Sequence, residues 1–164
     1  MRLATAALVL AMVFLSVNAG ATDTHHALTD KAASDTSPQP FKAEYSATYN
    51  GMPIVMVRTL SRTKDVYSAA TTASNFLGSI REEETFKVDE KGKLRPIQYH
   101  YQRAILGKNR SEDSIFDPSG TSVSSTYKNN TLNLESQSLI LAPLSYQIQM
   151  QMDLWQDRKA FQYR

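Results

Sequence analysis

The chain has 164 residues, with 18 basic and 16 acidic side chains, a net charge of +2, three histidines and no cysteine. So even a charge balance gives no electrostatic footprint for nucleic acid. The lack of thiols excludes disulfides, thiol chemistry and cysteine-based metal sites, and an apolar fraction of 41% allows one modest core.

Residues 1–19 have the pattern of a secretory signal peptide. Met1 and Arg2 bring positive charge, residues 3–15 are apolar apart from Thr5, and Val17 and Ala19 stand at the −3 and −1 positions of a cleavage site. Ala19-Gly20-Ala21 offers an equivalent site two residues on. The apolar run is shorter than the roughly 20 residues that cross a bilayer, so the mature chain is expected to have no transmembrane segment. No cysteine follows the run, which excludes a lipobox anchor.

Residues 20–40 are expected to form a disordered linker, with few large apolar side chains, no periodicity and a Pro-Gln-Pro end. His25 and His26 sit in it. They are fewer than the three or four convergent ligands that a metal site needs, and no cofactor is expected.

A β-rich domain is expected over residues 41–164. Phe41, Ala43, Tyr45, Ala47 and Tyr49 alternate with Lys42, Glu44, Ser46 and Thr48, the period of a half-buried strand. Asn50-Gly51 tolerates the positive φ of a type I′ turn and predicts a tight hairpin. The return strand is expected over 54–60, with Pro53, which cannot donate to a ladder, marking its first residue. Its apolar run from Ile54 to Val57 predicts cover on both faces. Residues 62–65 are polar and turn-like. Further strands are predicted at 66–74, 79–88, 94–104, 110–116, 121–127 and 131–134. Asp89-Glu90-Lys91-Gly92-Lys93 reads as a hairpin loop, and Asp117-Pro118-Ser119-Gly120 has the residues of a type I turn. Short strands at regular spacing indicate an antiparallel barrel or sandwich.

Residues 142–155 fit two periods. Tyr146, Ile148, Met150, Met152 and Leu154 alternate with polar residues as a strand would. Against that, Leu144, Ile148, Met152 and Trp155 share a helical face, and Pro143 suits a first-turn position. The helix is favoured. Residues 159–164 look like the start of another strand.

The Tyr-rich first strand, the Asn50-Gly51-Met52-Pro53 hairpin, the loop-to-strand passage at 75–80 and the segments GKLRP, IQYHYQR and SIFD ahead of a proline-containing helical stretch resemble the domain of unknown function 3108 family of exported bacterial proteins. The resemblance covers residues 41–164. It implies a β-rich periplasmic domain of the Gram-negative cell envelope, with no assigned activity and no functional residue to carry over. Members often have glycine after the first turn, where this chain has Val55-Met56. They also run on through further strands, which implies that the domain here is incomplete at its C-terminal end.

Carboxylates are the sharpest candidates for chemistry. On a strand, Glu82 and Glu84 share a face with Ile80, Phe86 and Val88 and stand roughly 7 Å apart, inside the range of the carboxyl pair of inverting glycosidases. Those carboxyls flank a bond from opposite sides. The expectation is instead that Glu82 and Glu84 pair across the sheet with Arg103 or Arg110, or sit solvated at a barrel mouth. Register decides their neighbours. If residue numbers across the 89–93 hairpin sum to 183, Glu82 faces Tyr101, Glu84 faces Tyr99 and Phe86 faces Ile97; a sum of 182 sets Glu82 opposite His100. The first gathers apolar residues on one face and is preferred, leaving His100 on the polar face. Glu82, Glu84, Tyr99 and Tyr101 are the candidate ligand contacts, with no catalytic or metal-binding residue expected.

No nucleophile elbow, phosphate loop or HExxH motif is present. Arg103, Lys108 and Arg110 are offset by Glu112 and Asp113, so nucleic acid is not expected as a partner. The expected fold is mainly β, a hairpin-built open barrel or curved sheet with one C-terminal helix packed against it. The expected function is a non-enzymatic periplasmic domain that binds an apolar or glycan ligand in envelope assembly. Two alternatives stand beside it: a carbohydrate-active enzyme using Glu82 and Glu84, and a structural domain that takes an envelope protein at an open sheet edge.

Overall fold

The computed structural model describes residues 37–49 and 51–155. The expected leader, residues 20–36 of the linker, Asn50 and the strand start at 159–164 lie outside the described residues. Pro38, expected in the linker, is buried.

Among the described residues eight strands follow one another: β1 (Phe41–Tyr49), β2 (Met52–Thr63), β3 (Val66–Asn75), β4 (Gly78–Val88), β5 (Leu94–Ile105), β6 (Lys108–Phe116), β7 (Ser122–Tyr127) and β8 (Asn130–Glu135), and one helix, α1 (Pro143–Trp155), comes after them. The strands form a single antiparallel sheet in chain order, so β1 and β8 are its edges. The architecture is mainly β, an open sheet with a C-terminal helix packed on it.

Tight turns impose that order. Asp117 closes the β6–β7 turn: its Oδ1 accepts the N–H groups of Thr121 and Ser122 at 3.0 and 2.7 Å, and its carbonyl accepts that of Gly120 at 2.9 Å. Gly120 supplies φ +73°, open to a residue without Cβ. The Ser119 hydroxyl and the Ser122 N–H hold the Asp117 carboxyl down to about 2. Between β3 and β4 the chain passes so near β5 that a Cβ on Gly78 would collide with the Ala104 carbonyl oxygen.

Two expectations for the first hairpin change. β2 runs on to Thr63, which leaves only Lys64 and Asp65 to turn, Lys64 at φ +58°. Val55 is exposed, so the apolar run at 54–57 is not covered on both faces, and Phe41 and Tyr45 on β1 are exposed too. β1 is an edge strand, and none of its residues belongs to a buried cluster.

Register between β4 and β5 uses both of the predicted sums. From Gly78 to Thr85 the partners sum to 183, with Glu82 opposite Tyr101 and Glu84 opposite Tyr99; from Phe86 to Val88 they sum to 182. The slip is a β-bulge at Ile97, which has no partner on β4. Phe86 therefore faces Pro96, not Ile97. The bulge turns Ile97 out to 37% exposure and brings Pro96 and Leu94 onto the inner face. Pro96 has no N–H to donate, so a ladder already interrupted there loses little.

α1 lies on that inner face. Leu144, Ile148 and Met152 form one buried cluster with Leu60 of β2, Tyr67 and Ala69 of β3, Phe86 of β4 and Leu94 of β5. The Tyr67 and Phe86 rings stack at 5.3 Å between centroids. Four strands span roughly 14 Å of sheet, and their inward side chains reach in to α1 from β2 to β5. A second cluster joins Tyr99, Phe116 and Val123 to Ala142, with Ile140 and Tyr101 against it. The helical period wins over the alternating one because Leu144, Ile148 and Met152 all reach this core, while Tyr146 and Leu154 stay exposed. Trp155, expected on the buried face, is 78% exposed.

Candidate functional site

Three rows of side chains cross the inner face, fixed by the strand register. The first runs Leu60, Ala69, Glu84, Tyr99, Ser114, Ser125 and lies beneath α1 and the segment before it. The second runs Arg58, Thr71, Glu82, Tyr101, Glu112, Tyr127, and the third Met56, Ala73, Ile80, Arg103, Arg110. The third lies nearest the turns at 76–77 and 106–107. All four candidate contacts, Glu82, Glu84, Tyr99 and Tyr101, thus share one face as neighbours.

Their environments differ sharply. Glu84, expected to be solvated or paired with an arginine, is 2% exposed. Its Oε2 accepts the N–H groups of Leu144 and Ser145 at 3.0 and 2.9 Å, the free donors in the first turn of α1. The residue before the helix is Ala142, which has no side chain to cap them. Glu84 does so from β4, and Ser145 completes the arrangement by accepting the Ala142 N–H on its hydroxyl at 3.1 Å. Burial pushes the Glu84 carboxyl up to about 7, against the pull of Ser145 and the two backbone donors, and Glu82 adds to the rise. Desolvation outweighs the helix end. Oε1 of Glu84 is buried without a partner.

Glu82 accepts the Tyr99 hydroxyl on Oε1 at 2.7 Å. Burial first, then this carboxylate, pushes the Tyr99 phenol above its ordinary range. Arg110, expected as a partner for Glu82 or Glu84, instead bonds Glu112 at 2.9 Å and lies over the Tyr127 ring. Arg103 takes neither glutamate: its Nε is buried with no acceptor. Arg58 donates from Nη1 to Gln147 of α1 at 2.7 Å, and its Nη2 is likewise buried and unmatched. Burial lowers the Arg58 pKa, opposed by Tyr45 and Glu82.

Arg58 was not singled out from sequence, although its inward position between Met56 and Leu60 follows from the strand period. The polar stripe of α1 was missed as well. Ser145, Gln149 and Asp153 are buried; Gln149 accepts the Leu94 N–H at 3.0 Å and donates to Asp153 at 3.2 Å. This stripe has no periodic signal apart from that of the apolar residues beside it.

The opposite face carries a polar groove of about 640 Å³ lined by Thr59, Ser61, Arg81, Glu83, Gln98 and His100 among others. His100 Nδ1 lies 2.7 Å from Asp113, and Glu83 is tied to Arg81 at 2.6 Å. Among the described residues no hydroxyl hydrogen-bonds His100. Among the described residues, too, no helix is long and apolar enough to cross a membrane. Comparison of the chain with family models, curated proteins and solved structures gave no match.

Proposed function

We propose that this chain is a non-enzymatic ligand-binding domain of the cell envelope, carried to the periplasm by the leader at 1–19. The ligand lies on the inner face beyond α1. The single observation that supports this is the pair of guanidinium groups there, Arg58 and Arg103, each with a buried nitrogen that no acceptor among the described residues meets. Buried donors are almost always matched; in this proposal a ligand supplies the missing acceptors when the two side chains swing out of their cover to meet it. Half-buried Met56, Ala73, Ile80 and Ile105 surround them, which favours an apolar ligand over a glycan. The kinship with the domain of unknown function 3108 family is part of the same proposal and rests on the turn and aromatic residues quoted above.

The enzymatic alternative needs Glu82 and Glu84 on one bound sugar. Glu84 is enclosed under α1 with one oxygen held by the helix, which weighs against it. An open edge for a partner strand fits β8, exposed along its whole length and paired on one side only, but backbone groups open to water cost little unpaired, so they weigh less than buried ones.

Titration of the full chain with Nile red tests the proposal. Saturable binding is expected, weakened by Ala73→Trp on the inner face and unchanged by Gln98→Ala in the outer groove. No saturable binding, or sensitivity to Gln98 alone, would overturn it.

A further inference from the structure

Apolar and cationic side chains gather at one end of the sheet, apart from the inner face on which the ligand is proposed. Because the strands follow one another as hairpins, the β1–β2, β3–β4, β5–β6 and β7–β8 turns share that end. Two neighbouring turns carry large apolar side chains at their tips: Phe76 is 77% exposed and Leu106 72%. Among the described large apolar residues only Trp155 is as open. The Leu106 N–H donates to the Leu77 carbonyl at 3.0 Å, so the two tips stand side by side.

Neither side chain serves the turn that holds it. Leu106 and Gly107 have φ +49° and +75°, the paired positive values of a type I′ turn, where asparagine or glycine suits the first position and leucine is strained. In the β3–β4 turn the Asn75 Oδ1 accepts the Leu77 N–H at 2.9 Å, and Gly78 allows the close passage to β5. Phe76 takes part in neither and is left in water. A lone exposed apolar side chain is ordinary. A strained leucine beside an open phenylalanine, on tips joined by a hydrogen bond, has no explanation in folding.

Charge is as one-sided. From the row of Tyr45, Met56, Ala73, Ile80, Arg103 and Arg110 outward, residues 45–56, 73–80 and 103–110 contain no Asp or Glu, and their charges are Arg103, Lys108 and Arg110. Lys128, between β7 and β8, adds another cation. Arg110 is matched by Glu112, whereas Lys108 and Lys128 are exposed. At the opposite end acids are mixed in and tied to cations, Asp65 to Lys87 at 2.7 Å and Asp89 to Arg95 at 2.9 Å.

We propose that this turn end seats the domain on a membrane surface, with Phe76 and Leu106 entering the headgroup layer and Lys108 and Lys128 lying on anionic lipid phosphates. Separate protruding tips suit a fluid interface, which takes up aromatic and leucine side chains without a matching pocket. A border free of acids suits a negatively charged surface.

The probe is a tryptophan at the tip, Phe76→Trp with Trp155→Phe, titrated with vesicles of phosphatidylcholine alone or mixed equally with phosphatidylglycerol. A blue shift of its emission is expected on the mixed vesicles. An attached leader would bind lipid by itself, but equally in every variant and without moving a tryptophan at residue 76 out of water. Added to this chain, Leu106→Asn is expected to weaken binding about tenfold through lost apolar burial, yet to raise the thermal midpoint, since asparagine suits the positive φ. Lys108→Gln and Lys128→Gln should each weaken binding to mixed vesicles about fivefold. Lys91→Gln, at the opposite end, should leave it unchanged. Absence of a blue shift overturns the proposal. An equal shift on both kinds of vesicle, or lysine variants that bind like Lys91→Gln, overturns the anionic contact. Self-association without lipid that Phe76→Ser abolishes in the ultracentrifuge overturns it as well and gives the tips to a second copy of the chain. Nile red binding on the inner face is independent of each of these results.

Discussion

Replacing Glu84 by glutamine tests how α1 is held to the sheet. The carboxyl sits at about 7 in the folded chain against an ordinary 4.5, so the folded form binds this proton more tightly than the unfolded one. Its contribution to stability is fully present below pH 4.5, declines as pH rises from 4.5 to 7, and is gone above 7. At about 1.4 kcal/mol per pH unit the gap amounts to about 3 kcal/mol, or roughly 10 °C in Tm for a domain of this size. Glutamine keeps an acceptor for the Leu144 and Ser145 N–H groups and cannot ionise. Urea unfolding of both forms at pH 4.5 and 7.5 gives the answer. Differencing the two proteins cancels carboxylates of opposite sign such as Asp89 and Asp117, which are held below their usual range. Relative to pH 4.5, the Glu84→Gln protein is expected to gain about 3 kcal/mol on the parent at pH 7.5. A difference that ignores pH would mean that the attraction of an ionised carboxylate to the helix end equals its desolvation. A variant that loses ground on the parent at pH 7.5 would mean that it outweighs it; either refutes the desolvation argument.

Four further substitutions probe packing, strain and an unmatched buried donor. Leu144→Ala should cost about 2–5 kcal/mol as a core truncation, whereas Trp155→Ala, on an exposed side chain, should stay within about 0.5 kcal/mol in the same urea assay. Gly78→Ala drives a Cβ into the Ala104 carbonyl and should cost about 2 kcal/mol or more, seen as a lower thermal midpoint. Arg103→Met removes a buried donor that has no acceptor and should stabilise the ligand-free chain by about 1 kcal/mol.

Strand positions were legible because they rest on two local signals, period-2 alternation and turn residues, and both survive without tertiary context. The turn at Asp117 and the pairing of Glu84 with Tyr99 are examples. What failed was set by partners distant in sequence. The bulge at Ile97 has no glycine to announce it, and only the demand that Leu94 and Pro96 face Val88 and Phe86 selects it. Alternation in β1 says half-buried, yet burial needs a covering element, and α1 reaches β2 without adding β1 to its cluster. Glu84 looked like a surface acid because most carboxylates are. Its cap on α1 joins residues 60 and 61 positions apart, and no window of sequence contains both.

The inner face divides at Glu84. On one side the row beneath α1 and the segment before it holds Leu60, Ala69 and Tyr99, the two serines Ser114 and Ser125, and one carboxyl that serves the helix. On the other side the same strands, in the same alternation, place Arg58, Glu82 and Arg103 at inward positions where a continuing core would call for Leu or Val. An inward arginine with an unmatched nitrogen costs about 1–3 kcal/mol of desolvation, a large share of the roughly 5–15 kcal/mol that keeps a domain folded. Stability alone gives no reason to keep two of them. Arg58 meets α1 at Gln147, so the polar rows begin where the helix ends its contact with the sheet, and a bound ligand would offset the desolvation of both arginines. Loss of binding on Arg103→Gln together with a gain in stability on Arg103→Met would separate function from folding at that one position.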